Sequence, residues 1–163
     1  MSESKINPKS GLFVDVQNIY YTTRQIYKRQ FNYRALWEHL SNRANIMVAN
    51  AYAIDRGDSD QQKFQSALRH IGFEVHLKPY ISRSDGSSKG DWDVGITIDI
   101  IRSAPQLDRI ILLSGDGDFD LLVNYVRDAC NVGVDIYGVS ALTASSLKHS
   151  ADRFHPVDET FLL

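Results

Sequence analysis

Arg109-Ile110-Ile111-Leu112-Leu113-Ser114-Gly115-Asp116-Gly117-Asp118-Phe119-Asp120 is the stretch on which the fold turns. Four apolar residues follow Arg109 without the polar alternation of a half-exposed strand, and the run is too short for a helix. It reads as a strand buried on both faces, the habit of parallel sheets. Ser-Gly-Asp-Gly-Asp then breaks the chain, and residues 119–130 take up a helical pattern. Strand, Gly- and Asp-rich turn, and helix together make half of a βαβ unit.

The same alternation runs outward in both directions. Upstream, residues 11–16 form a short apolar run of β-formers, and residues 18–29 can start a helix. A second helix over 32–42 has Asn32 as N-cap and Leu36, Trp37 and Leu40 as its apolar stripe. A strand over 46–54 precedes a helix over 58–71, with Phe64, Leu68 and Ile71 on one side and Gly72 as its stop. Residues 73–78 alternate as a third strand nearer an edge. Residues 82–90 are the clearest loop, and 91–103 read as a helix carried by Val94, Ile98 and Ile101. Downstream come a strand over 134–139, a short helix over 143–150 and one further strand over 154–157. Strands alternating with helices predict an α/β fold, a three-layer α/β/α sandwich on a mainly parallel sheet. Periodicity does not set the strand order. An order of 3-2-1-4-5 would place strands one and four side by side at the switch point, where such sheets carry their sites.

Length and composition bound the rest. The chain has 163 residues, 43% hydrophobic and 23% charged, which suits one soluble domain with a real core. Residues 1–10 are expected to be a disordered or extended tail before a single domain over 11–163. The tail is polar and has no apolar core of a secretory signal. No apolar run approaches the ~20 residues of a membrane span, so no membrane partner is expected. The single cysteine, Cys130, forbids an internal disulfide and a Cys-rich zinc site, and is expected to be buried and inert. A reducing cytoplasm is the simplest setting. The five histidines lack metal-ligand spacing. Net charge is −2, which by itself weighs weakly against nucleic acid.

The acids, however, are clustered. Asp15 ends the first strand in Phe13-Val14-Asp15-Val16-Gln17-Asn18. Asp91 and Asp93 stand at the head of the helix before strand four. Asp116, Asp118 and Asp120 follow strand four directly. One Asp at a strand end is ordinarily a turn former or N-cap. Asp15 lies inside an apolar strand, where a charge is expensive without a partner. Acids packed this closely raise one another's pKa values or demand a cation. Hard oxygen donors without His or Cys select Mg²⁺ or Mn²⁺, and such ions can serve phosphodiester cleavage. An aspartyl phosphatase would want a second acid where Gln17 stands. No phosphate-cradling P-loop is present. Val16-Gln17-Asn18-Ile19 also lacks the serines of a metal-ion adhesion site.

Phe13-Val14-Asp15-Val16-Gln17-Asn18-Ile19, Lys89-Gly90-Asp91-Trp92-Asp93-Val94 with Asp99 beyond, and Ser114-Gly115-Asp116-Gly117-Asp118-Phe119 resemble the three signature blocks of NYN domains. These belong to the PIN-like nuclease superfamily, and Ala151-Asp152-Arg153-Phe154 resembles the closing motif of its LabA-like branch. Gln17 stands where many relatives carry a small residue. The resemblance implies the 3-2-1-4-5 order and Mg²⁺-dependent cleavage of RNA. It implies Asp15, Asp93, Asp116 and Asp118 as catalytic, metal-binding acids, with Asn18 and Ser114 as supports and Asp120 as an alternative last acid. Asp91 and Asp99 are expected in supporting roles, Asp91 as a helix-start carboxylate and Asp99 about 120° around the helix from Asp93. Lys89 is expected to hold phosphate. Tyr20, Tyr21 and Arg24 suit single-stranded RNA, whereas Tyr27 reads as a packing residue. The competing expectation is a regulatory module of the same fold that binds RNA or protein, or dimerises, without turnover.

Overall fold

The computed structural model describes residues 7–79, 81–82, 88–89 and 91–163. Among the described residues eight strands and six α-helices follow one another as β1 (Lys9–Asp15), α1 (Val16–Tyr27), α2 (Tyr33–Ser41), β2 (Asn45–Asp55), α3 (Ser59–Ile71), β3 (Glu74–Pro79), β4 (Ile81–Ser82), β5 (Ser88–Lys89), α4 (Asp93–Ser103), β6 (Arg109–Leu113), α5 (Asp120–Ala129), β7 (Gly133–Gly138), α6 (Ser145–Ser150) and β8 (Arg153–Pro156). Six of the strands form one parallel sheet in the order β3-β2-β1-β6-β7-β8. Counted within that sheet the order is 3-2-1-4-5-6: the expected order holds, and the last strand adds itself at the edge.

Helices cover both faces. Ile19 of α1, Leu36 and Leu40 of α2 and Leu68 of α3 pack with Leu12, Val14, Ile111 and Leu113 on one face. Ile96 and Ile100 of α4, Leu122, Val123 and Val126 of α5 and Leu147 of α6 pack with Phe13, Leu112 and Ile136 on the other. The central strands alternate between the two cores, which is why β6 needs apolar residues at every position. Leu112 is fully enclosed. Leu112→Ala is expected to lower unfolding stability by about 3 kcal/mol through lost burial and a residual cavity. Chemical denaturation would show this as a reduced midpoint at unchanged slope.

Local chemistry sets several boundaries. The Asn32 side chain accepts the Ala35 N–H at 3.0 Å, the expected N-cap. Gly72 ends α3 at φ +138°, with its N–H donating to the Leu68 carbonyl. Other boundaries differ from expectation. The first strand starts at Lys9 rather than Gly11, because β1 pairs with β2 and β6 from its first residues. Val16 already belongs to α1, and α1 stops at Tyr27 because Lys28 turns left-handed at φ +56°. Asp91 precedes α4 instead of starting it. A short 3-10 turn over Gly117–Phe119 comes before α5. The loop expected over 82–90 is partly ordered as β, since Ile81–Ser82 pairs antiparallel with Ser88–Lys89. Residues 83–87 and 90 of it lie outside the described residues. Cys130 is half-buried rather than enclosed.

The largest correction concerns α4. Val94, Ile98 and Ile101 form the stripe that marked it as a helix, yet all three are exposed. Ile96 and Ile100 point inward instead. The helix is apolar on more than one side, so the spacing finds a helix but selects the wrong face.

Candidate functional site

Asp15 sits where the central strand β1 gives way to α1. Its carboxylate is nearly buried, and two groups hold it: the Asn18 N–H at 3.4 Å and the Ser114 hydroxyl at 3.1 Å. Ser114 follows β6 and is fully buried. Its oxygen also accepts the Asp116 N–H at 3.2 Å, so one hydroxyl ties the two central strand ends together. The Asn18 side chain adds a second tie by accepting the Gly115 N–H at 2.9 Å. Gly115 is required by space: a Cβ there would lie 2.7 Å from the Leu142 carbonyl oxygen. Asp116 then caps the following turn, accepting the Asp118 N–H at 2.9 Å.

The third contributor comes from the head of α4. Asp93 donates its N–H to the Asp91 carboxylate at 3.3 Å. Trp92, between them, is anchored by its indole N–H to the Ala53 carbonyl at 2.8 Å. Lys78 of β3 lies over the Trp92 ring, 4.4 Å from its centroid, and donates to the Asp91 carbonyl oxygen. This buttress of Lys78 and Trp92 is not legible in the sequence. Its one visible trace is a bulky aromatic between two acids.

The outcome is a cleft of about 210 Å³ lined by Asp15, Gln17, Asn18, Tyr21, Asp91, Asp93 and Asp116. Within and beside it, carboxylate oxygens of Asp93, Asp116 and Asp118 lie within 4.8 Å of one another. Asp15 shares the cleft but stands outside that tight trio. Asp120 starts α5 and lines neither group. Asp99 faces another way and accepts the Tyr52 hydroxyl at 2.7 Å. Tyr21 reaches the cleft wall, whereas Tyr20 packs edge-on against it and carries Arg24 by a hydrogen bond and over its ring. Tyr27 donates to the Val157 carbonyl, a packing role as expected. Lys89 lies in β5, and its side chain is outside the described residues. Gln17, read in the sequence as a departure from the family block and as an argument against an aspartyl phosphatase, lines the cleft.

The electrostatics follow from this crowding. Burial pushes the Asp15 carboxyl up to about 6, against the lowering influence of its two hydrogen bonds, and the charges of Asp116 and Asp91 push the same way. Asp93 rises to about 7, first through burial, then through its contact with Asp116 and the charges of Asp91 and Asp15. Asp15 and Asp93 are thus harder to ionise than free carboxyls, and a cation in the cleft would relieve the same burial and repulsion. The donors are all hard oxygens, a set that suits a divalent metal ion. Asp93, Asp116 and Asp118 fit such an ion by chemistry and spacing.

A parallel sandwich that gathers acids over its switch point fits the class of metal-dependent nucleases. The chain belongs to the NYN domain family, whose model matches residues 9–158. It is of the LabA-like kind: it is 29% identical over 152 residues to the low amplitude and bright protein LabA of Synechococcus elongatus, a match spanning 88% of this chain and 81% of LabA. The fold is also similar to the crystal structure of a protein of unknown function from Vibrio parahaemolyticus, with TM-score 0.92 and 49% identity over 99% of this chain and 100% of that one.

Proposed function

We propose that this protein is a ribonuclease that hydrolyses RNA phosphodiester bonds with a divalent cation, Mg²⁺ or Mn²⁺. The observation that carries the reading is the carboxylate trio of Asp93, Asp116 and Asp118 beside a nearly buried Asp15 whose pKa is raised. Those four acids would hold the cation. When bound, it supplies a Lewis acid that neutralises phosphate charge and makes water a better nucleophile near neutral pH.

The chain's own groups do the rest. Ser114 and Asn18 fix the angle of Asp15 and the 114–116 turn, so the acids meet without reorganisation. Asp91 holds the α4 head in place through the Asp93 N–H. The exposed rings of Tyr20 and Tyr21 offer surfaces on which unpaired bases stack, and Arg24 above Tyr20 offers a cation for phosphate. Lys89 is a second phosphate contact on the same reading. Among the described residues no helix is long and apolar enough to cross a membrane.

The test is cleavage of end-labelled single-stranded RNA by wild type and by Asp93→Asn, with Mn²⁺ and with EDTA. Cleavage confined to wild type with metal is the expected result. Equal cleavage by both proteins would defeat the proposal, because the acid would then be irrelevant. RNA binding without turnover in any metal would instead support a regulatory module.

A further inference from the structure

Building on the ribonuclease reading, we infer that Gln17 and Tyr21 form a subsite that grips the nucleotide next to the scissile phosphate, and that this subsite takes unpaired RNA only. Both residues line the cleft that holds Asp15, Asp93 and Asp116. They stand at i and i+4 on α1, so their side chains share one face of the helix. Gln17 lies in the first turn, half-buried among the acids. Tyr21 is one turn further out, and it is 55% exposed.

No contact within the chain explains Gln17. Its neighbour Asn18 commits its side-chain oxygen to the Gly115 N–H at 2.9 Å. Among the described residues the Gln17 amide makes no hydrogen bond, so its donor and its acceptor are both open to the cleft. Helix chemistry does not ask for an amide here either. An acid in the first turn would gain from the helix dipole, yet α1 has none there. A cation site alone would also accept one more carboxylate. A phosphodiester would not. Asp15, Asp91, Asp93 and Asp116 already line the cleft, and among the described residues no lysine or arginine does. A further acid would repel the phosphate, whereas an amide N–H donates to a phosphate oxygen without adding charge.

Tyr21 sets the strand requirement. Its ring stacks only on a base whose face is free, and in a duplex neighbouring base pairs cover both faces. The same side of α1 continues outward through Tyr20 and Arg24, at i+3 and i+7 from Gln17. Tyr20 meets Tyr21 edge-on with ring centroids 5.8 Å apart, and Arg24 donates to the Tyr20 hydroxyl at 3.1 Å. A single strand leaving the cleft along α1 thus meets an amide, two rings and a cation in turn.

The experiment is fluorescence anisotropy on the full chain, with a short labelled RNA strand alone and the same strand in a duplex. Binding is read in Ca²⁺, which takes the same oxygen donors. Mn²⁺ binding is read separately by thermal shift. Gln17→Ala and Tyr21→Ala should each weaken single-strand binding about tenfold, Gln17→Glu should weaken it more than Gln17→Ala, and Tyr21→Phe should cost less than about twofold. Wild type should bind the duplex at least about tenfold more weakly than the single strand. All four variants should keep at least the wild-type Mn²⁺ shift. If wild type shows this pattern yet cuts no RNA, the ribonuclease reading falls and the subsite stands. Wild-type affinity in Gln17→Ala or Tyr21→Ala would overturn the inference. So would equal binding of duplex and single strand, a Mn²⁺ shift lost in Gln17→Ala, or a wild type that binds no RNA.

Discussion

Asp116→Asn is expected to reduce RNA cleavage by about a thousandfold, a loss of about 4 kcal/mol of transition-state stabilisation. The fold should tolerate the change. Asp116 acts locally as an acceptor for the Asp118 N–H, and an asparagine oxygen can keep that bond. What disappears is one negative charge from a trio whose oxygens lie within 4.8 Å of one another. The matching physical readout is thermal stabilisation by Mn²⁺, which arises only if the folded state binds the ion. Wild type should gain several degrees at saturating metal, and Asp116→Asn almost none. A variant that kept both its activity and its thermal shift would remove Asp116 from the site.

Asp15→Asn is expected to abolish cleavage to a similar degree and yet stabilise the metal-free protein. Folding raises the Asp15 pKa from 3.8 to about 6, mainly by burial. The folded state thus favours the protonated carboxyl. That stabilisation is complete below about pH 4 and is lost as pH rises through about 6. Above that, an ionised Asp15 costs the fold about 2–3 kcal/mol, since each tenfold weakening of an acid is worth about 1.4 kcal/mol. Asparagine carries no such charge, so in EDTA at pH 8 the variant should be more stable than wild type by about 2 kcal/mol. At pH 4 the two should nearly coincide. Denaturant melts at both pH values decide the matter, and a variant less stable than wild type at pH 8 would show that the hydrogen bonds outweigh burial.

Much of this arrangement is legible in the residues. Apolar runs separated by Gly, Asp and Asn delimit strands and helices because turn chemistry and capping are local. Asp15 and Asp116 declare themselves because each follows an apolar run, and such runs in an α/β chain end at the carboxyl edge of the sheet. Long-range contacts escape the sequence. Nothing near Lys78 reveals that it will lie over Trp92 and steady the acids beside it. Gln17 becomes a cleft residue only when α1 turns it inward. On α4 the failure has a different cause. With apolar residues at 94, 96, 98, 100 and 101, more than one face satisfies a helical period, and packing alone chooses among them.

The bond from Ser114 to Asp15 spans 99 positions of chain. Contacts so far apart are the slowest to form, because the loop must close before it gains anything. Asp15 leaves the ribosome ahead of its partner Ser114, which arrives just after β6. Until β6 slots in beside β1, the acids are strangers on a growing chain. The cleft therefore exists only once β6 and the turn after it have docked: a chain that stops short of them lacks Asp116 and Asp118 and cannot assemble the trio.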